Sequence, residues 1–547
     1  MRRRSFMLWA AGGTAAVAAG TGSIAAYLRW QEITPKVLYP GRAEGHYLRN
    51  LLRDRKALPP PSRTLVTDVA IFGSGIAGLT AAWRLKKLGH TDFLMVDGPQ
   101  PYGNAAGGHF GDLAYPTGGH YLPLPSPEST HVREILHDLG IILRDPMAEK
   151  PTYDERYILH APEERLLFNG HWQDGFIPVE GVPAEELAQH RRFFAQVEQL
   201  RQARGIDGKR VFVFPTIASS QDPAWQALDT ITLKTWMERH GYTSPTLHWY
   251  LNYCCRDDYG TRYDQVSAWA GLHYYCSRWG QAANAGNGAW LTWPGGMQPV
   301  ATALAQASRV QRHAGTVVSL ATTATGVEAL CMELVDGQPR TYLVKARKAI
   351  CAMPLYVAAR VVKDIASYGF DIKRDTPAYA PWMVANFLLK RFPHELPHAP
   401  LCWDNVVYQE PGLGYVVSTH QDIRVRPPEQ TVFSAYVALS DRTPEQARKW
   451  LDTASPGELL ALASVDLKTA YGRDFASCVE RVDITVRGHA MAAPLPGFRN
   501  NAGLKALREH DGAILFAHAD LSGFSVFEEA AWWGDRAARL AAGSRRM

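Results

Sequence analysis

Residues 69–97 constrain this chain more than any other stretch. Four apolar residues, Val69-Ala-Ile-Phe72, run into Gly-Ser-Gly-Ile-Ala-Gly at 73–78. A helical segment follows, and a second apolar run, Phe93-Leu-Met-Val96, stops at Asp97. This spacing predicts a strand–helix–strand unit that cradles a dinucleotide. Gly73 permits the tight turn, Gly75 lets a diphosphate approach the backbone, and Gly78 lets the helix pack closely on the strand. Ile76 and Ala77 open the helix, whose N-terminus favours negative charge. Asp97 stands where a carboxylate accepts hydrogen bonds from a ribose.

The opposite end of the chain carries the second signal. Gly512-Ala-Ile-Leu-Phe-Ala-His-Ala-Asp520 reads as a buried strand ending in an acid. Ser522 and Gly523 form a turn, and an amphipathic helix then begins at Phe527-Glu528-Glu529. This stretch resembles the C-terminal flavin motif of the flavin-containing amine oxidase superfamily, which includes monoamine and polyamine oxidases, protoporphyrinogen oxidase and phytoene-type desaturases. The resemblance implies an FAD cofactor, with Asp520 at its ribityl or phosphate region and the helix start, Phe527 and Glu528, facing the flavin pyrimidine. Such a helix terminus suits a reduced flavin, which carries negative charge near N1.

Three further segments resemble the same superfamily. Tyr115-Pro-Thr-Gly-Gly-His-Tyr121 matches the Gly-Gly stretch that passes the isoalloxazine, and it implies cofactor contacts at Gly118, Gly119 and His120. Trp293-Pro-Gly-Gly-Met-Gln298 precedes a helical run, and residues 346–354 match a strand that ends in a proline near the flavin. Val318, in the alternating run 317–320, is expected to join the cofactor contacts. The implied fold is α/β: a Rossmann-like FAD-binding domain (residues 67–120, 290–360 and 485–547) interleaved with an α+β substrate domain (121–289 and 361–484). Residues 130–139 and 184–203 have helical periodicity. Residues 317–320, 329–335, 342–344, 406–418 and 431–439 read as strands.

A chain of 547 residues suits two interleaved domains, and 46% hydrophobic with 20% charged residues is ordinary globular composition. Net charge is +5, of which Arg2, Arg3 and Arg4 supply three, so nothing points to nucleic acid. The seven cysteines lack CxxC spacing and read as mostly buried thiols, with at least one unpaired. No metal cluster is visible.

Residues 1–30 resemble a twin-arginine export signal: Arg3 and Arg4, then Ser5 and Phe6, then an uncharged Ala/Gly-rich stretch to about residue 28. That route exports folded proteins, so FAD would be bound first. The apolar stretch is either cleaved or kept as a membrane anchor. Residues 31–66, rich in Arg and Pro, read as a surface linker. A periplasmic setting lacks an NAD(P)H pool, so electrons are expected to come from the substrate and pass to oxygen, a quinone or a protein.

The resemblance also exposes departures. The position of the cysteine that some amine oxidases link to flavin falls on His489, and the aromatic-sandwich positions fall on Ala490 and Val526. No lysine occupies the region around Asn386. FAD is therefore expected to be non-covalent, with a histidyl link through His489 as the alternative. Asn386 either holds a water near the flavin or is a strand-end amide. Asp257 or Asp258 could bind an ammonium between Trp269, His273 and Tyr274, or be a solvated pair at a helix N-terminus. His420, after a strand, could accept a proton or simply end the strand. His120 is expected to position the ring, and Trp532 and Trp533 to be packing residues.

The expected function is oxidation of an amine, such as a polyamine, by hydride transfer to flavin N5. A desaturase or isomerase of an apolar lipid-like substrate and a non-catalytic flavoprotein partner are the alternatives.

Overall fold

The computed structural model describes residues 30–543 except 31, 55, 56, 397, 398, 424, 425 and 427. The export-signal residues Arg3 and Arg4 lie outside the described residues.

Two sheets organise the chain. The first runs in the order Gln311–His313, Phe93–Val96, Thr64–Phe72, Gln338–Cys351, Gly326–Val335, Thr316–Thr323, and Ile514–Phe516 also pairs with Gln338–Cys351. Residues 69–72 and 93–96 are apolar throughout and buried on both faces, as parallel strands covered by helices must be. The 14-residue strand Gln338–Cys351 is the organising element. Its first half belongs to an antiparallel meander. Its last residue, Cys351, pairs in parallel with both Phe72 and Phe516. The glycine turn near one end of the chain and the acid-bearing turn near the other thus leave the same sheet edge side by side.

Helices Ile76–Lys87 and Phe527–Ala541 cross over this sheet in close contact. A Cβ at Gly534 would lie 2.1 Å from the Ala77 carbonyl oxygen, so only glycine fits there. The α/β, Rossmann-like expectation holds. All seven cysteines are buried and unpaired.

The second sheet runs Lys36–Leu38, Val479–Ala492, Tyr379–Leu389, Thr431–Ala438, Tyr415–Val417, Asp404–Val407, Glu164–Phe168, His171–Asp174. Period-2 alternation splits it between two cores. Met383, Ala385, Phe387, Phe433 and Ala435 face helices Pro444–Thr453 and Pro456–Ala463. Trp382, Val384, Tyr436, Val406 and Leu166 face the cleft and the helices Pro245–Tyr259 and Ala268–Ser277.

Residues 31–66 are more than the expected linker. Lys36–Leu38 adds a parallel edge strand against Asp483–Thr485, and Thr64 begins the first Rossmann strand. The apolar residues Val37 and Tyr39 pack on the second sheet's outer core, which the Arg and Pro content had masked. Among the described residues no helix is long and apolar enough to cross a membrane.

Candidate functional site

Each of the three glycines answers a different demand. Gly73 has φ +109°, and a Cβ there would meet the Ala352 carbonyl oxygen at 2.6 Å. Gly78 packs on the turn itself, its Cβ position 1.9 Å from the Gly73 oxygen. At Gly75 a Cβ would meet nothing within 4 Å, so this residue keeps open space clear. The helix that follows has no side-chain cap and no acid in its first turn, which leaves the amides at Ile76, Ala77 and Gly78 aimed at that space.

The ribose end assembles around Asp97. Its carboxylate accepts Arg312 Nε at 2.8 Å, and Arg312 also donates to Tyr102 Oη at 3.1 Å. Nearby, the pairing of Thr316–Thr323 with Gly326–Val335 slips between Val317 and Ser319. Val318 is therefore a bulge residue left out of the ladder.

Asp520, 1% exposed, accepts the Leu355 N–H at 2.9 Å and the Tyr379 hydroxyl. These bonds and His518 hold its carboxyl below the usual carboxylate range despite burial. Phe527 and Glu528 open the last helix, which has Val526 as N-cap and no side-chain cap. Glu528 is buried and its carboxyl is pushed up to about 7 by desolvation. His489 stacks on Tyr356 with centroids 4.6 Å apart, and burial holds its imidazole down at about 4, hence neutral.

The Gly-Gly stretch lies between the two sheets. Asn104 ties it down: its carbonyl accepts the Gly119 N–H at 2.9 Å and its amide donates to the Ala490 carbonyl at 2.7 Å. Gly119 in turn accepts the Met297 N–H at 3.0 Å, so the loop at 293–298 abuts it. Gly119 itself stays exposed, so open space is left beside the stretch.

Aromatic rings gather next to this stretch, and acidic groups act on them, Asp404 and Asp257 on Tyr436. His120 lies 4.5 Å from Tyr436 and 5.6 Å from Trp403, centroid to centroid, and Tyr121 is edge-on to Trp290 at 4.9 Å. Tyr436 donates to the Gly118 carbonyl at 3.2 Å. These rings supply walls that Ala490 and Val526 cannot.

Beyond the rings stand Glu164, Asp257 and Asp404. Glu164 and Asp404 are register partners on adjacent parallel strands, facing the same way. Asp257 comes from the end of helix Pro245–Tyr259. Burial first, then neighbouring acids, pushes Glu164 (beside Glu163 and Asp257) and Asp257 (beside Asp258) up to about 7, and Asp404 (beside Glu164 and Asp257) well above its ordinary range. Arg278 and Arg256 oppose the shift of Asp257, whereas among the described residues no basic side chain offsets Glu164 or Asp404. Neighbouring like charges on a sheet face are unfavourable, so the arrangement calls for a cation or protons from outside.

The sequence-derived candidates divide accordingly. Asp257 belongs to this acidic cluster. Asp258 does not: it pairs with Arg278. Both aspartates end a helix rather than start one. His273 is fully buried in the core, donates Nε2 to the Val213 carbonyl at 3.0 Å, and is packed against Phe214, Trp269 and Phe524. It has no access to substrate. His420 donates to the His160 carbonyl at 2.9 Å at the end of its strand. Asn386 is fully buried, donating to the Pro116 carbonyl at 3.1 Å and accepting from Ser434 at 2.6 Å, so it supports the Gly-Gly stretch from behind. Trp533 is buried and donates to Ser522 at 2.7 Å, whereas Trp532 is half-buried beside His131. Glu164 and Asp404 escaped sequence reading. Each is an acid that opens a short strand, followed by one polar residue and an apolar run, Arg165 before Leu166 and Asn405 before Val406.

Comparison with known proteins agrees with this geometry. A family profile described as NAD(P)-binding Rossmann-like domain matches residues 71–139. No curated protein matches the sequence. Wild-type putrescine oxidase bound to putrescine superimposes with a TM-score of 0.59 at 17% identity, covering 87% of this chain and 98% of that one. Cyclohexylamine oxidase from Brevibacterium oxydans gives 0.60 at 18% identity, covering 88% and 100%. A CLA-producing fatty acid isomerase from P. acnes gives 0.55 at 14% identity, covering 86% and 97%. The chain thus has the fold of FAD-binding amine oxidases over nearly its whole described length, with a Rossmann dinucleotide-binding unit at its core.

Proposed function

We propose that this protein is an FAD-dependent oxidoreductase that oxidises a primary amine carrying a second cationic group, a diamine or polyamine. The supporting observation is the set of Glu164, Asp257 and Asp404, of which only Asp257 is offset by arginines, behind aromatic walls that begin at His120. The folds shared with putrescine oxidase and cyclohexylamine oxidase support the same reading.

The residues of the dinucleotide cleft suit FAD: open space at Gly75, an uncapped helix start, the bulge at Val318 and the accessible Gly119. FAD bound there supplies the acceptor for a hydride and its two electrons. The chain itself binds and aligns the amine. The distal ammonium sits at Glu164, Asp257 and Asp404, which ionise as it arrives. Tyr436, Trp403, Tyr121 and His120 exclude water and hold the alkyl chain, so the reacting carbon lies over the Gly118–Gly119 stretch. His120, held neutral at about 3 by burial, adds no positive charge that would repel the amine. FAD is held non-covalently, because the linkage position carries His489 stacked against Tyr356. Oxygen, a quinone or a protein reoxidises the cofactor after export by the twin-arginine route.

The test is anaerobic mixing of the purified yellow protein with putrescine, cyclohexylamine or linoleic acid. Putrescine is expected to bleach the flavin band fastest. Bleaching or turnover by the fatty acid alone overturns the proposal, since a fatty carboxylate offers no cation to three carboxyl groups. Cell fractionation tests the location, with activity expected in the periplasmic fraction.

A further inference from the structure

Arg487 is a part-buried cation without a carboxylate partner among the described residues. It lies on Val479–Ala492, paired with Trp382, in a strand of the second sheet. Its guanidinium donates to the Gln100 side-chain oxygen at 2.6 Å, to the Gly103 carbonyl at 3.3 Å and, more weakly, to the Thr117 carbonyl at 3.5 Å. All of these acceptors are neutral. No carboxylate pairs with it among the described residues. Burial draws its pKa down to about 10, and the only charge effect acting the other way comes from Tyr356. The residue keeps part of its surface accessible, so it borders open space.

Its location identifies that space. Gly103, which it bonds, is the residue whose Cβ position lies 3.6 Å from the Gly75 Cα. Thr117 precedes the Gly-Gly stretch. Tyr356, on its other side, also feels Asp520. Arg487 therefore faces the diphosphate space from the side opposite the helix start at Ile76. A buried charge without a partner costs several kcal/mol, roughly, and persists only where something repays it.

We propose that Arg487 is the counter-ion of the dinucleotide diphosphate: a planar donor reaching in from the second sheet to grip phosphate oxygens whose other side rests on the amides at Gly75–Gly78. Two donors of one guanidinium match two phosphate oxygens, a geometry lysine cannot copy. The bound dinucleotide then bridges the two sheets electrostatically. This inference rests on the FAD reading above.

The full chain, stripped of flavin, tests it by calorimetric titration with ADP and with adenosine. In R487M, ADP binding is expected to weaken about tenfold or more, while adenosine binding stays within about twofold. FAD should dissociate faster by a similar factor. R487K should recover part of the ADP affinity. The flavin-free R487M protein should melt at the same temperature as the parent or higher, because an unpaired buried charge has gone. Unchanged ADP affinity in R487M, or equal losses for ADP and adenosine, overturns the proposal. Should R487M be insoluble, R487K against R487Q decides it: equal ADP affinity in these two is the overturning result. A parent protein that binds neither FAD nor ADP removes the flavin reading itself, a separate outcome.

Discussion

The diphosphate cleft and the amine site are built on opposite electrostatic plans. In the first, one arginine and a row of backbone amides converge with no carboxylate among them. In the second, three carboxyl groups converge, and arginines offset only Asp257 among them. Each region is unfavourable by itself, and each becomes favourable with a ligand of opposite sign. The aromatic rings and the Gly-Gly stretch separate the two, so the charges do not quench one another. Uncompensated burial of this kind marks binding sites more reliably than any single reactive residue.

The contrast can be broken at either end. The largest effect is expected from Gly75→Val, which fills the open space at the helix start without meeting neighbouring atoms. FAD affinity should fall roughly a hundredfold or more with the fold intact, read by flavin absorbance after gel filtration and by circular dichroism. Gly78→Val, which collides with the Gly73 carbonyl, should instead yield insoluble protein. Next, the double variant E164Q/D404N should raise KM for a diamine about thirtyfold, and KM for a monoamine less than threefold, in steady-state assays. Equal changes for both substrates would sink the distal-ammonium role.

The third effect is on pH. Glu164 and Asp257 stand near 7 when folded, above their unfolded values near 4. They bind more protons folded than unfolded, so their contribution favours folding below pH 4 and is lost as pH rises through 7. Without substrate, Tm should drop between pH 5 and 8, and the double variant should drop about 2 °C less by scanning calorimetry. Diamine KM should fall over the same interval, because ionised carboxylates bind the dication. The smallest effect belongs to His420→Gln, expected to change kcat/KM by less than about twofold with an unaltered pH profile. A larger loss would return His420 to the active site.

What could be read directly from the sequence was local. The turn at 73–78, Asp97 and the strand-to-helix passage at 512–528 each sit within a short window, where period and glycine placement report the backbone. Val318 owes its fitness to a one-residue register slip that no composition reveals. Glu164, Asp257 and Asp404 come from three separate elements, and their convergence depends on a parallel pairing across 240 positions. His273 shows the opposite error: chemistry-bearing residue type and aromatic neighbours suggested a site, but the same neighbours form a packed core. Arg487 did leave a trace. It follows the buried run Asp483–Val486 directly, and an arginine there needs something to meet it.

The short strand Lys36–Leu38 has a consequence for the other end of the molecule's life. By docking on Asp483–Thr485 it fastens the leading part of the chain to the same strand that carries Arg487. Trimming back to Trp30 leaves that clasp in place, whereas trimming past Leu38 bares a row of unsatisfied amides and carbonyls. The truncated protein would then tend to clump through edge-to-edge pairing, a behaviour of the shortened chain rather than of its active site.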